Sequence, residues 1–153
     1  CQRSQQLGAD RAEVLGGANL LELRSLVRQV PVARSVQDFA VRILVGTHPD
    51  AEKAAKVLGK GEKVDRNDLV KRFVRYGASP RGAQALLLGA KVLALLDGRF
   101  AVSCADVVKV ARPALRHRLI LNFEGQAEGV STDDIVSAII ARTPETLPGT
   151  ARS

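Results

Sequence analysis

The stretch Tyr76–Arg99, YGASPRGAQALLLGAKVLALLDGR, decides the fold predicted for this chain. Ser79 is a preferred N-cap residue, and Pro80 suits the first helical position, where its missing N–H would have no helical partner. Between positions 83 and 96 only two residues are polar, a pattern typical of a helix that is buried on nearly all sides. Gly98 suits the C-terminal cap. The stretch therefore predicts one long, buried central helix.

Arg81 falls at the second position of this helix, beside the positive end of the helix dipole. A cation there is disfavoured by roughly 0.3–1 kcal/mol. An anion at the helix end would reverse that effect, because the guanidinium and free backbone N–H groups would then bind it together. Two interpretations follow from residue type alone. Arg81 is either a solvated side chain in a glycine-flanked turn or part of an anion site.

The sequence on both sides of the central helix predicts further helices. After Ser35, proposed as an N-cap, one face follows the spacing i, i+3, i+4, i+7, i+8 in Val36, Phe39, Ala40, Ile43 and Leu44. Ser103 and Ser131 each begin a pattern that resembles a capping box, with Asp in place of Glu. Only short pieces such as 99–102 and 119–123 could pair as strands. The predicted fold class is all-α, a bundle of six or seven helices.

Three further predictions each concern a single residue. Asn19 can cap the first helix. Pro113, together with the arginine before it, is predicted to open a separate short helical turn that runs through His117. Gly89 weakens the central helix by roughly 1 kcal/mol relative to Ala. Close approach of a neighbouring helix would explain a glycine at that position.

Composition divides the chain into three parts. Residues 1–17 are polar and contain glycines, which is typical of a linker or disordered lead-in. Residues 18–142 form the predicted helical domain, with a variable, charged insertion at 50–72. Residues 143–153 are predicted to be a loose tail. Because the sequence starts at Cys1 rather than at a methionine, we interpret it as a piece of a longer protein.

Charge and composition narrow the classes of function. Hydrophobic residues make up 46% and charged residues 25%, as in a globular domain, while aromatic residues reach only 3%. The formal net charge of +7 permits phosphate or nucleic-acid partners, although a solvated surface accounts for it equally well. No apolar run approaches the length of a membrane span. Cys1 and Cys104 form neither a disulfide framework nor a metal motif, so no metal site is predicted.

No complete active site is visible in the sequence. Gly59-Lys60-Gly61 comes closest to a phosphate-binding loop, but position 54 is alanine and position 61 is neither serine nor threonine. The two histidines, His48 and His117, suggest no nucleophilic grouping with serine or cysteine. This chain by itself is therefore not predicted to be an enzyme.

A second basic cluster contains four residues, Arg112, Arg116, His117 and Arg118. Faces of this kind are commonly solvated. The functional alternative is an interface to an acidic surface or to phosphate. His117 is more typical of a structural hydrogen-bonding residue than of a metal ligand, because no histidine or cysteine lies at a ligand spacing from it.

Three stretches resemble the C-terminal lid of MoxR-type AAA+ ATPases. They are YGASPRGAQALLLGAK at 76–91, GRFAVSCADVVKVARPALRHRLILNF at 98–123 and EGVSTDDIVSAIIAR at 128–142. Residues 20–49 resemble the opening helices of that lid, so the resemblance covers about 19–142. Its most specific parts are GASPRG and LRHRLILNF. The charged residues 50–72 depart from the family pattern.

The resemblance implies an AAA+ lid fold attached, in a longer parent, to an α/β domain that carries the Walker motifs. The parent would bind ATP and Mg, hydrolyse ATP and form a ring, a hexamer by expectation, in the cytoplasm. It would couple hydrolysis to chaperone-like assembly or activation of an unidentified client protein. Arg81 matches the second-sensor arginine, which in this family reaches the γ-phosphate of ATP. Ser79 and Gly82 of the same motif are expected beside the nucleotide.

An alternative function is a stand-alone basic helical module that binds nucleic acid or an acidic protein partner. The net charge of +7 agrees with it. The low aromatic content does not, because single-stranded nucleic acid is commonly bound by stacking bases on aromatic side chains. This alternative also leaves Arg81 in its capped turn without an explanation.

Overall fold

The computed structural model describes residues 16–51, 53 and 68–145. Within them the chain forms seven helices and one pair of short strands, which confirms the all-α prediction. In chain order the elements are α1 Gly17–Gln29, α2 Arg34–Gly46, α3 Asp68–Phe73, β1 Val74–Tyr76, α4 Pro80–Leu96, α5 Cys104–Leu115, β2 Ile120–Leu121, α6 Phe123–Ala127 and α7 Thr132–Arg142.

The hydrophobic core lies where α2, α4, α5 and α7 pack together. Most of its largest fully buried apolar side chains come from these four helices, and one comes from α3: Phe39, Ile43, Leu44, Leu86, Val107, Leu115, Ile135 and Val136, with Val70 of α3. The apolar face predicted for α2 is buried at all five of its positions. Aliphatic residues dominate this core, and helices suit them because ridges of side chains can interdigitate along each face.

The central helix α4 begins and ends at the predicted residues. Ser79 has the extended backbone of an N-cap (φ −67°, ψ 168°), and Pro80 is the first helical residue. At the other end Gly98 has φ +70°, a conformation that favours glycine. The N–H groups of Gly98 and the next residue donate to carbonyls of the last turn at 2.9 and 2.8 Å, which is a Schellman cap.

Complete burial within α4 follows one face, whereas several residues beside that face are half-buried. The fully buried residues recur every four positions, at Gly82, Leu86, Ala90 and Ala94. On another face Leu88, Val92 and Leu96 are exposed, Leu96 to 77%. The helix is therefore long and central, as predicted, but the described helices do not cover all of its apolar surface.

Gly89 lies where α4 packs tightly against α5. A Cβ atom at this position would lie 2.5 Å from Val110 Cγ1 and 3.3 Å from Val110 Cγ2. Both distances are shorter than an ordinary carbon–carbon contact of about 3.5–4.0 Å. The close approach predicted from the glycine is thus confirmed, and it fixes how the two helices pack.

We expect Gly89→Ala to lower the free energy of unfolding by about 1–2 kcal/mol, although alanine is normally the better helix former. Val110 is β-branched and stiff at χ1, so it cannot easily move away from an added methyl group. Adding Val110→Ala should recover part of the loss. Gly17→Ala is the matched control, because nothing lies within 4 Å of its new Cβ. Urea unfolding in which Gly89→Ala matches the wild type would contradict this packing.

The N-caps of the first two helices differ from the predictions. The N-cap of α1 is Gly16, so Asn19 lies inside the helix. The N-cap of α2 is Ala33, whose carbonyl accepts from two helical N–H groups at 3.0 and 3.1 Å, and Ser35 also lies inside its helix. Starting a helix earlier adds intrahelical hydrogen bonds, and here these outweigh the preference for a polar cap.

The end of α5 also differs. Pro113 does not open a separate turn, because α5 continues through it to Leu115. A proline has no N–H, so Pro113 removes one backbone hydrogen bond, and the helix ends two residues after it. The continuous helix places Leu115, which is fully buried, against the core.

The strand prediction is half correct. Strand β2 lies within the predicted 119–123, but its antiparallel partner is β1, with Val74 opposite Leu121 and Tyr76 opposite Ile120. The other predicted strand, 99–102, is not formed. Arg99 instead donates to the carboxylate of Asp106 at 2.9 and 2.7 Å, which holds this segment at the start of α5.

Both predicted serine caps are present. Ser103 Oγ accepts from the N–H of Asp106, and the Asp106 carboxylate accepts from the N–H of Ser103 at 2.9 Å, a complete capping box. Ser131 Oγ accepts from the N–H of Asp133 at 3.2 Å. The bond at Ser131 is thus one residue closer than the predicted box with Asp134.

Some predictions fall outside the described residues. They concern residues 1–15 of the lead-in, residues 52 and 54–67 of the charged insertion, and the tail from 146 onward. The described start of the tail is held by Arg42, a buried residue that donates to the carbonyls of Pro144 and Glu145 at 3.1 and 3.0 Å. Among the described helices, none has the length and apolarity needed to cross a membrane.

Candidate functional site

Arg81 lies at the second position of α4, with its side chain exposed to solvent. The first turn of α4 contains no acidic residue. Among residues 16–51, 53 and 68–145, no hydrogen bond or ion pair engages the Arg81 guanidinium. A positive side chain and the positive end of a helix dipole therefore meet at one exposed point, and this combination favours an anion.

Ser79 lies beside Arg81 and has an uncommitted hydroxyl. Its backbone has N-cap geometry, but its side chain accepts no hydrogen bond from the helix. The residue is exposed. The hydroxyl of Ser79 is thus not used to cap α4, as its position in the sequence had suggested, and is sterically open to another partner.

Gly82 is buried and has a packing role. A Cβ atom there would lie 2.9 Å from Leu44 Cδ1 and 3.4 Å from Leu115 Cδ2. Its N–H already donates to the carbonyl of Ser79 at 2.7 Å. Since Pro80 has no N–H, backbone donors contribute less to this helix end than the sequence suggested. The Arg81 guanidinium is the main feature that an anion would meet.

The loop before α4 is attached to the end of α2. The N–H of Ala78 donates to Thr47 Oγ1 at 2.9 Å, and the Thr47 hydroxyl donates to the carbonyl of Leu44 at 2.6 Å. The carbonyl of Ala78 accepts from His48 Nε2 at 3.0 Å. Both polar groups of the Ala78 backbone are thus bound by two consecutive residues.

Thr47 and His48 are functional candidates that the sequence did not single out. Thr47 and Ala78 are both fully buried, and a Cβ atom at Gly77 would lie 2.7 Å from the Thr47 carbonyl oxygen. The contact joins residues 31 positions apart in the chain. No local pattern could indicate it, although the Thr47-His48-Pro49 sequence did predict the end of α2.

Two residues of the second basic cluster join α5 to α7. Arg116 donates from Nε and Nη2 to the carboxylate of Asp133 at 3.1 and 2.7 Å. Arg112 Nε donates to Ser137 Oγ at 2.9 Å. These side chains have intramolecular partners, so they are less available to an external partner than their sequence pattern suggested.

The other two members of the basic cluster lie just after α5. Arg118 Nε donates to the carbonyl of Ala114 at 2.9 Å, and His117 is exposed. The described part of the chain contains no group of three His, Cys, Asp or Glu side chains placed to hold a metal ion. The structure therefore does not gather the cluster around one binding point.

The geometry of Arg81 suits a phosphate that is presented by another part of a protein. The side chain is exposed, while the backbone on both sides of it, at Ala78 and Gly82, is buried against α2. Guanidinium groups bind phosphate oxygens through two parallel N–H donors. A phosphate brought to this point would meet the guanidinium donors of Arg81, which supply charge and hydrogen bonds but no nucleophile.

Comparison with known proteins gives a consistent match. The family model described as the AAA lid domain matches residues 66–139. Chaperone MoxR1 of Mycobacterium tuberculosis is 30% identical over 128 residues, which cover 84% of this chain and 31% of that protein. Protein MoxR of Paracoccus denitrificans is 38% identical over 79 residues, which cover 50% of this chain and 22% of that protein.

A solved structure agrees with these sequence matches. It is the crystal structure of a protein from Cytophaga hutchinsonii that is described as a candidate ATPase. The TM-score is 0.70 at 29% identity, and the match covers 85% of this chain and 36% of that one. The present chain thus spans about a third or less of the length of the proteins it matches.

Proposed function

Because this chain contains an AAA lid domain of the MoxR type, we propose that it serves as the C-terminal lid and nucleotide sensor of a longer AAA+ ATPase. Residues 18–142 form the lid in this proposal. An α/β domain elsewhere in the same protein supplies the Walker motifs. The lid contributes to ATP binding and couples hydrolysis to chaperone-like assembly or activation of other proteins.

One observation supports the proposal above all: Arg81 is exposed at the start of α4 without a partner among the described residues, while Ala78 and Gly82 on either side of it are buried. Its guanidinium contacts the γ-phosphate when the lid closes over the α/β domain. An arginine in this place stabilises negative charge on the transferring phosphoryl group. Loss of that phosphate removes the contact, so the angle of the lid follows the state of the nucleotide.

The described residues fit the nucleotide phosphate but not the magnesium ion. Arg81 and the hydroxyl of Ser79 offer donors to phosphate oxygens. Magnesium requires oxygen ligands in octahedral geometry, and no acidic cluster of the described residues supplies them. In this proposal the α/β domain binds the magnesium ion, and the lid contacts only the phosphate.

The remaining parts of the proposal concern the parent protein. It forms a ring of subunits, a hexamer by expectation, in the cytoplasm, with ATP bound where subunits meet. The exposed row of Leu88, Val92 and Leu96 on α4 gives the lid an apolar surface to bury against its own α/β domain or a neighbouring subunit. Exposed apolar surface of this kind commonly marks an interaction site.

A direct test compares two proteins, the full-length parent and this chain alone. We expect the parent to hydrolyse ATP with Mg and the chain alone to show no turnover. Steady-state release of phosphate measures both. A chain that hydrolyses ATP by itself, or a parent that does not hydrolyse it, would contradict the proposed function. Salt-dependent binding of this chain to nucleic acid at physiological ionic strength would favour the alternative of a basic binding module.

A further inference from the structure

Two polar residues at the C-terminal end of α2 contact the segment that leads into the Arg81 turn. Thr47 and His48 bind the N–H and the carbonyl of Ala78 at 2.9 and 3.0 Å. Ala78 lies three residues before Arg81. Because the N–H and the carbonyl of Ala78 are both bound, a large rotation or shift of the start of α4 relative to α2 would break at least one hydrogen bond.

The residue after Arg81 is fixed against the same helix. Gly82 packs on Leu44, with 2.9 Å from its ideal Cβ position to Leu44 Cδ1. The carbonyl of Leu44 in turn accepts from the Thr47 hydroxyl at 2.6 Å. Contacts to the last turn of α2 therefore bracket Arg81 on both sides, while its own side chain remains exposed.

From this arrangement we infer that Thr47 and His48 are positioning residues for Arg81. They set the place and direction from which its guanidinium reaches the phosphate. The inference rests on the proposed function of Arg81 and adds two residues to it. Correct placement matters because a displacement of about 1 Å in a group that acts on the reacting phosphate can lower a rate on the order of 100-fold.

The chemistry of each contact indicates the variants that test it. Thr47→Val keeps the shape of the side chain but removes the oxygen that accepts from Ala78. His48→Ala removes the donor to the Ala78 carbonyl, whereas His48→Gln keeps an N–H donor at a similar reach. Thr143→Val is the matched control, since the Thr143 hydroxyl donates only within its own helix end, to the carbonyl of Ile139 at 2.7 Å.

The experiment measures kcat for ATP hydrolysis by the full-length parent carrying Thr47→Val or His48→Ala, each with Arg81 present and with Arg81→Ala. We expect about a 10-fold loss of kcat from each variant when Arg81 is present, and less than about a 2-fold loss when it is absent. His48→Gln should retain most of the turnover, and Thr143→Val all of it. Coupling of this kind distinguishes positioning from a general loss of stability.

Other outcomes would overturn the inference. Turnover that is unchanged by Thr47→Val and His48→Ala, or reduced equally with and without Arg81, would show that neither residue acts through Arg81. If Thr47→Val and His48→Ala give one of these results while Arg81→Ala lowers turnover, the positioning role is wrong and the proposed function still stands. If Arg81→Ala has no effect, the sensor assignment fails and the positioning role fails with it. If Thr47→Val prevents folding, the comparison of His48→Ala with His48→Gln decides the question.

Discussion

Arg81→Ala in the full-length parent is expected to lower kcat for ATP hydrolysis by about 10- to 100-fold. That range corresponds to the loss of a charge-assisted hydrogen bond of roughly 1.5–3 kcal/mol in the transition state. Arg81→Lys keeps the charge but not the planar, two-pronged donor geometry, so we expect an intermediate loss. Steady-state kinetics with saturating ATP and Mg measure both variants.

The same substitution should leave this chain folded. Arg81 is exposed and its charge opposes the dipole of α4, so Arg81→Ala is expected to be neutral or to stabilise the chain by a few tenths of a kcal/mol. Arg24→Ala, at an exposed position on α1, is the matched control for turnover and should preserve it. Unchanged turnover of Arg81→Ala, or equal losses from both arginine variants, would refute the sensor role.

Asp106→Ala is expected to lower the free energy of unfolding of this chain by about 3 kcal/mol. The buried carboxylate of Asp106 accepts from Arg99 at 2.9 and 2.7 Å, and from the N–H and hydroxyl of Ser103 at 2.9 and 2.8 Å. The loss combines a helix cap of roughly 1 kcal/mol with charge-assisted bonds of roughly 1.5–3 kcal/mol. Denaturant unfolding measures it.

Asp134→Ala provides the control for this stability effect. Asp134 occupies the first turn of α7, as Asp106 does in α5, but it is exposed. Its removal should change the free energy of unfolding by no more than about 0.5–1 kcal/mol, through the helix dipole. Equal effects of the two substitutions would show that the buried network around Asp106 does not stabilise the fold.

The same network predicts a dependence of stability on pH. Hydrogen bonds from Arg99, and then from Ser103, hold the pKa of Asp106 well below its usual range. The pKa is thus lower in the folded chain than in the unfolded one, where Asp titrates near 3.9. The stabilisation is complete above that value and is lost as the pH falls below it. When the pH falls from about 5 to about 2, the free energy of unfolding should therefore decrease less for Asp106→Asn than for the wild type.

Local patterns predicted much of the fold because they depend on neighbouring residues. Ser103 and Asp106 are three positions apart and form the predicted capping box, and Gly98 ends α4 in the predicted conformation. Gly89 predicted a close helix contact because glycine destabilises a helix interior, and the close approach of a neighbouring helix explains its presence there. The position of Arg81 followed from the same local rules.

Contacts between distant residues could not be predicted in the same way. The hydrogen bonds of Thr47 and His48 to Ala78 span 31 and 30 positions, and the bond between Arg116 and Asp133 spans 17. Such pairs depend on how the helices pack, which one sequence does not reveal. The exposed face of α4 could not be predicted for a similar reason. An apolar sequence pattern does not show which partner covers each face of a helix.

The most direct test of the account is a crystal structure of the full-length parent with Mg and a non-hydrolysable ATP analogue. We predict that a guanidinium nitrogen of Arg81 lies within about 2.7–3.2 Å of a γ-phosphate oxygen, with Ala78 still bound to Thr47 and His48. A closed, nucleotide-bound lid in which Arg81 points into solvent and another residue contacts the γ-phosphate would contradict the account.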